Sequence, residues 1–263
     1  MSLGLHGVAF VSGAGGGIGR ECVKQLVREG CTRVFATDIK ESALEETVSV
    51  AKRLNSKANI DTEVADISRP EVIDALISRA VQSFGRVDYA FNIAGVTGKL
   101  ESIDKLTLDD YQLVESINAR AVWLSERAQI TQMLTQEPLP THDGRPGSRG
   151  VIVNVASVCG FIGFPDSTPY TMSKHAVIGL TRSDSTSFAA KDIRVNAVCP
   201  GIIDTAILGP TRDYSLEYCQ TFTPMKRLGT PQEIAEVATF LASTRASYIC
   251  GAVIPVDGGY TAQ

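Results

Sequence analysis

The stretch SGAGGGIGR, residues 12–20, holds five glycines in nine positions, directly behind the apolar run GVAFV. Glycine tolerates positive φ and lets another group approach the backbone, at a cost in conformational entropy on folding. A surface linker is the plain reading, but linkers do not usually sit between a strand-like apolar run and a helix. From Ile18 the apolar positions Ile18, Cys22, Val23, Leu26 and Val27 recur at helical spacing. The order strand, glycine turn, helix predicts a phosphate cradle, in which backbone N–H groups and the positive helix end face a pyrophosphate.

Further strand-like runs follow at 33–38, 60–66, 87–95, 150–157, 193–201 and 251–259. Amphipathic helical patterns separate them at 42–55, 70–84, 107–134 and 170–190. Short apolar strands alternating with helices predict an α/β fold with a mostly parallel, doubly wound, seven-stranded sheet flanked by helices. No composition break marks a second domain, so residues 1–263 are expected to form one. Residues 135–150, rich in Pro and Gly, read as an exposed loop. Residues 204–225 read as a second irregular stretch carrying Leu208, Tyr214, Tyr218 and Phe222. Apolar side chains on a long loop suit either a lid over a site or packing on a neighbouring subunit.

The bulk numbers exclude several classes. Net charge is −4 with no long basic run, so the footprint of nucleic-acid binding is missing. No apolar stretch approaches the roughly 20 residues of a membrane helix. The N-terminal MSLGLHG runs straight into the first strand pattern, leaving no room for a signal peptide. The six cysteines form no CxxC pair, and three histidines make no zinc pattern. Small core cysteines in a reducing compartment, a cytoplasmic location and no metal are the expectation.

In a dinucleotide fold, an acidic residue about 20 positions past the glycine loop accepts hydrogen bonds from the adenosine ribose. Asp38 ends the second strand pattern, 19 residues after Gly19. A 2′-phosphate there would meet a like charge, which favours NAD over NADP; the competing role for Asp38 is a cap on the helix at Ser42. Further on, Ser157 is followed after 13 residues by YTMSK, with Tyr170 and Lys174. At i and i+4 these two project from one helix face. A Lys⁺ one turn away, with a positive nicotinamide ring, would lower the tyrosine pKa toward use as a base.

With these motifs in order, the sequence resembles the short-chain dehydrogenase/reductase family over essentially the whole chain. The family's TGxxxGxG loop corresponds to Ser12, Gly13, Gly17 and Gly19, with Ile18 between the last two. Its NNAG motif corresponds to NIAG, with Asn92, Ala94 and Gly95 in place and Ile93 replacing the second Asn. Asp66 and Ile67 match the adenine-contacting end of the third strand, and Asn92 an adenine-side contact. Pro200, Gly201, Ile203 and Thr205 match the segment holding the nicotinamide carboxamide. The resemblance implies a Rossmann-type domain with NAD and a catalytic set of Asn118, Ser157, Tyr170 and Lys174. It further implies a homotetramer or homodimer. Taken alone Ser157 would read as a core hydroxyl, but in register with Tyr170 it reads as functional; Asn118 could satisfy backbone groups in its helix, a role compatible with the relay, and Cys159 reads as a pocket-lining residue rather than a nucleophile.

The resemblance implies interconversion of a secondary alcohol and a ketone by direct hydride transfer. Tyr170 would act as acid/base, Ser157 would hold the substrate oxygen, and Lys174 would relay protons through Asn118. The pocket candidates Thr97, Cys159, Phe161, Phe164, Leu208, Tyr214 and Phe222 are mostly apolar and suit a hydrophobic, cyclic small-molecule substrate. The 135–150 insertion is similar to those of family members that tailor polyketide or terpenoid products. The competing class is a silent NAD(H)-sensing module, which typically loses the Tyr or Lys kept here.

Overall fold

The computed structural model describes residues 3–263, so Met1 and Ser2 of the N-terminal run lie outside the described residues. Seven strands form one sheet: β1 (Val8–Ser12), β2 (Arg33–Asp38), β3 (Asn59–Val64), β4 (Tyr89–Asn92), β5 (Gly150–Val155), β6 (Ile193–Pro200) and β7 (Val253–Val256). Their order is β3-β2-β1-β4-β5-β6-β7, and every neighbouring pair is parallel. The chain moves outward from β1 through β2 to β3, then crosses back to β4. The point of reversal, between β1 and β4, is where such sheets open a crevice at their carboxyl ends.

Side chains alternate between the two faces, as the strand period requires. Ala9, Val11, Val34, Ala36, Phe91 and Val153 pack in one cluster with helix α1 (Gly17–Arg28), Leu44 of α2 (Glu41–Leu54) and α8 (Pro231–Ala242). Phe10, Phe35, Ala90 and Ile152 pack in another with α3 (Pro70–Phe84) and α5 (Ala121–Met133). The rings of Phe10 and Phe35 stack there at 5.8 Å between centroids. Helix α6 (Thr168–Phe188) covers the same side further along, through Val177 and Ile178 against Ala197 and Cys199. No helix among the described residues is long and apolar enough to cross a membrane.

Two segments differ from their sequence reading. The single helix expected over 107–134 is divided into α4 (Leu108–Glu115), a π-helical turn (Ser116–Arg120) and α5. A Thr107–Asp110 capping box starts it. The irregular stretch expected over 204–225 is instead a 3-10 segment (Ala206–Thr211), kinked at Gly209, leading into helix α7 (Arg212–Phe222). Only Ser215 and Cys219 of α7 are buried. Residues 135–149 project as expected but are ordered by a Leu139–Ser148 bridge, and by side-chain hydrogen bonds from Arg145 to Ser247 and between His142 and Thr244. All six cysteines are free; five are buried as expected, whereas Cys250 is exposed.

The glycine loop is folded tightly on its neighbours. Gly13 adopts φ +68, and a Cβ there would lie 2.7 Å from the amide nitrogen of Ala94 in the loop after β4. Gly19, in the first turn of α1, faces the Gly13 carbonyl, so a Cβ would overlap backbone that cannot move aside. Gly19→Ala is therefore expected to cost about 3 kcal/mol through overpacking. That lowers the thermal midpoint by roughly 6–12 °C, as calorimetry of the two proteins would show.

Candidate active site

The carboxyl ends of β1, β2, β4 and β5 bring most of the residues singled out in the sequence to one cleft. Helix α1 begins at Gly17 with no side-chain cap and no acidic residue in its first turn. Its free N–H groups and positive dipole end are thus left for an outside anion. Gly17 lies against Thr205, whose methyl carbon would stand 2.8 Å from a Cβ at that position. The loop after β6 therefore meets the glycine turn directly. Arg20, the base nearest the turn, is committed elsewhere: it donates to Gly15 O and Thr47 and pairs with Glu46 at 2.8 Å.

Asp38 does not cap α2, whose first residue is Glu41 and whose N-cap is Lys40. Its carboxylate instead accepts from the Gly15 N–H at 2.9 Å and from the Lys40 N–H at 3.1 Å. A negative oxygen pair is fixed at the rim of the glycine turn, with lone pairs to spare. Asp66, just past β3, accepts from the Ser68 N–H through one oxygen and leaves the other uncommitted. Ile18 and Ile67 are half-buried and pack on the two core clusters.

Several side chains proposed as cofactor contacts have structural commitments. The Ser12 hydroxyl accepts from the Ile93 N–H and donates to Phe91 O, pinning β1 to β4 beneath the cleft. Asn92 turns its amide into the core: it exchanges two hydrogen bonds with Gln129 and donates to Asn154. Any adenine-side contact of Asn92 therefore falls to its backbone. Ile203 is buried and bridged to Gly229. Pro200 ends β6, and Gly201 packs on the backbone of Asp257. A cavity of about 310 Å³ lies between residues 201–203, α7 and residues 255–259, beside the cleft.

Ser157, Tyr170, Lys174 and Asn118 converge from three elements. Ser157, past the end of β5, accepts the Cys159 N–H at 3.1 Å and is hydrogen-bonded to Tyr170. Lys174 is almost fully buried; its Nζ donates to Val155 O at 2.9 Å and lies 5.6 Å from the Tyr170 ring centre. Asn118 sits in the π-helical turn, where it accepts from the Val96 N–H and donates to Val96 O and Ser173. Gly95 lies where a Cβ would stand 3.2 Å from Asn118 and 3.6 Å from Lys174 Nζ. Asn118 thus clamps the loop after β4 over the lysine.

The electrostatics differ from the sequence expectation. Burial pushes the Tyr170 phenol up to about 12, against a smaller opposing pull from its hydrogen bond with Ser157. Burial likewise draws Lys174 down to about 8. The protein alone does not prepare a phenolate; it holds a neutral proton donor beside a lysine that has lost hydration.

Sequence reading missed the layer beneath. Asn154 on β5 donates to Glu126 of α5 at 2.7 Å and to Thr181 of α6 at 2.9 Å. Glu126 is fully buried, and Asp184 stands beside its carboxyl. Burial, aided by nearby Asp184, raises its carboxyl well above the ordinary carboxylate range. A carboxyl raised in the fold contributes stability below its unfolded value, and that contribution is lost as pH rises through the folded value. Glu126→Gln, which keeps the acceptor for Asn154, is expected to leave the thermal midpoint unchanged at pH 5. At pH 9 it should raise the midpoint by several degrees, measurable by melting curves at both pH values.

Comparison with known proteins adds the context. The family model described as Enoyl-(Acyl carrier protein) reductase matches residues 13–261. Short-chain dehydrogenase anuF of Penicillium roqueforti is 35% identical, covering 100% of this chain and 99% of that protein. Cyclohexanol dehydrogenase of Acinetobacter sp. is 33% identical, covering 97% and 95%. Among solved structures, carveol dehydrogenase from Mycobacterium avium, in complex with NAD, is 26% identical with a TM-score of 0.90, covering 100% of both chains.

Proposed function

The chain belongs to the short-chain dehydrogenase/reductase family, oxidoreductases of CH–OH groups, and we propose that it interconverts a secondary alcohol and a ketone on a hydrophobic cyclic small molecule, with NAD(H). The observation that carries the reading is the convergence of Ser157, Tyr170 and Lys174 at the open edge of the sheet, next to an uncapped helix end. When bound, the nicotinamide supplies or accepts the hydride. Gly13, Gly17 and the α1 N-terminus would hold the pyrophosphate, and Asp38 the adenosine ribose. Asp66 and Ile67 would flank the adenine. The backbones of Ala94, Gly95, Pro200, Gly201 and Ile203, with the Thr205 hydroxyl, would border the nicotinamide.

Within that frame the chain's own groups divide the work. Tyr170, neutral in the buried cleft, gives its proton to the oxygen of a ketone being reduced and takes one from an alcohol being oxidised. Ser157 donates a hydrogen bond to the same oxygen as charge develops there. Lys174 holds the ribose and restores the proton to Tyr170. Asn118 fixes the loop that covers it. Tyr170→Phe is expected to keep cofactor binding and lower turnover at least about 100-fold. Near-normal turnover of cyclohexanol or cyclohexanone in that variant would remove Tyr170 from the mechanism.

The choice of NAD rests on the fixed carboxylate of Asp38 and on the engagement of Arg20 with Gly15 O, Thr47 and Glu46. Equilibrium titration by cofactor fluorescence is expected to show NADH bound well ahead of NADPH. Asp38→Ala should narrow the gap by about tenfold or more, since one removed like-charge contact is worth at least a unit of pKa-scale interaction.

The enzyme is read as a homotetramer or homodimer in a reducing, cytoplasmic setting. Support comes from the unpaired cysteines and from Leu113, Trp123 and Met172, which stand exposed on α4, α5 and α6. Light scattering at micromolar concentration is expected to give a mass of at least two chains.

A further inference from the structure

A second cavity, of about 140 Å³, lies at the amino edge of the sheet, the end opposite the catalytic cleft. Its floor is three residues in register across neighbouring strands: Tyr89 at the start of β4, Val151 of β5 and Arg194 of β6. Its roof is the 135–150 insertion, through Leu139, Pro140 and Pro146. The hydrogen bonds of Arg145 to Ser247 and of His142 with Thr244 fasten that roof to the turn after α8. Six positions separate Val151 from Ser157, so the cavity stands about 20 Å from the reacting groups. A small molecule held there does not reach Tyr170.

What marks the cavity is the charge in its floor. Arg194 is only 6% exposed, and its guanidinium donates to two backbone carbonyls, Ile249 O and Ser243 O, each at 3.1 Å. Its Nε is buried with no hydrogen-bond partner among the described residues. The fork of N–H donors is thus only partly engaged, and only by neutral groups. Burial lowers the pKa of Arg194 to about 10, which leaves it charged at neutral pH. Asp88, a carboxylate on the cavity wall, is already matched: it accepts from the Val8 N–H at 2.8 Å and pairs with Arg86 at 2.7 Å. A buried cation without an anion is unfavourable, and an anion that reaches it restores the balance.

We infer that this cavity is a ligand site remote from catalysis, and that it takes a small carboxylate on a cyclic or short apolar body. Three properties set the class. The unmatched charge calls for an anion, and a guanidinium fork meets a carboxylate through paired N–H···O bonds. Leu139, Pro140, Pro146 and Val151 offer apolar surface to the rest of the molecule. The volume is close to the roughly 150 Å³ that accepts a single benzene ring. The insertion thereby acquires a role that the hydride chemistry does not give it: it supplies the apolar half of the site, and the sheet supplies the charge.

The probes are benzoate and its neutral counterpart benzamide, titrated calorimetrically into the protein saturated with NADH. The wild type is expected to bind one benzoate per chain, about tenfold or more tighter than benzamide, and cyclohexanone should not displace it. Arg194→Met should abolish the preference, and Arg194→Lys, which keeps the charge and loses the fork, should weaken it severalfold. Because Arg194 also holds Ser243 and Ile249, a second variant spares it: residues 140–147 are replaced by Asn-Gly, closing a two-residue hairpin on the Leu139–Ser148 bridge. That variant should lose benzoate affinity by about tenfold or more and keep its affinity for NADH within about twofold. Benzoate and benzamide bound alike, no benzoate bound in solution, or binding that neither change touches overturns the inference. Wild-type crystals soaked in benzoate give its place directly, and they decide the matter if every variant unfolds: density beside Arg194 upholds the site, and density only elsewhere overturns it.

Discussion

Lys174 carries an amine into a nearly dry cleft and finds there one backbone carbonyl and no carboxylate. A buried cation without a counter-ion is costly, and the protein meets part of the cost by letting the proton go more easily. That choice has consequences in both directions. The Val155 carbonyl fixes where α6 crosses β5, so the strand that delivers Ser157 and the helix that delivers Tyr170 share one joint. The remaining donor capacity of the amine points the site toward oxygen-rich ligands, which a paired lysine would not seek.

Much of this was legible in the sequence because it is written in periodicity and spacing. The strands alternate faces residue by residue, and the helices between them repeat at 3.6, so the sheet followed from pattern alone. The Ser157–Tyr170–Lys174 set was legible through the resemblance, because the chain keeps these residues in order and at the spacing that the family's motifs have. What stayed hidden depends on partners far away in the chain. The π-helical turn at Ser116–Arg120 alters backbone hydrogen bonding without altering the apolar pattern around it. Helix α7 buries only Ser215 and Cys219, and Gly209 and Pro210 precede it, so its amphipathicity is faint and its entrance looks like a loop. Asn92 sits within a motif that suggested ligand contact, yet residues 37 and 62 positions away decide where its amide points.

The buried polar layer explains how a cleft with so few rigid walls keeps its shape. Gln129, Asn92, Asn154, Glu126 and Thr181 run as one chain of hydrogen bonds from β4 through β5 to α5 and α6. The strand before Ser157 and the helix bearing Tyr170 and Lys174 are both tied into it. Apolar packing would hold these elements together equally well but would let them slide; paired amides fix them in register. The rim above this layer is assembled from loops and a lightly buried helix, which is where a family with one chemistry can vary its substrates.

The π-helical turn has a consequence for how this chain can change. Such a turn amounts to one residue more than an α-helix would use over the same rise. Removing a residue between 116 and 120 would restore a regular helix over the same rise and leave the halves on either side facing as before. What would be lost is the wide turn itself, and with it the placing of Asn118 against Val96. The extra residue therefore serves the site and not the core: its deletion would leave Glu126 and Gln129 buried while uncovering Lys174.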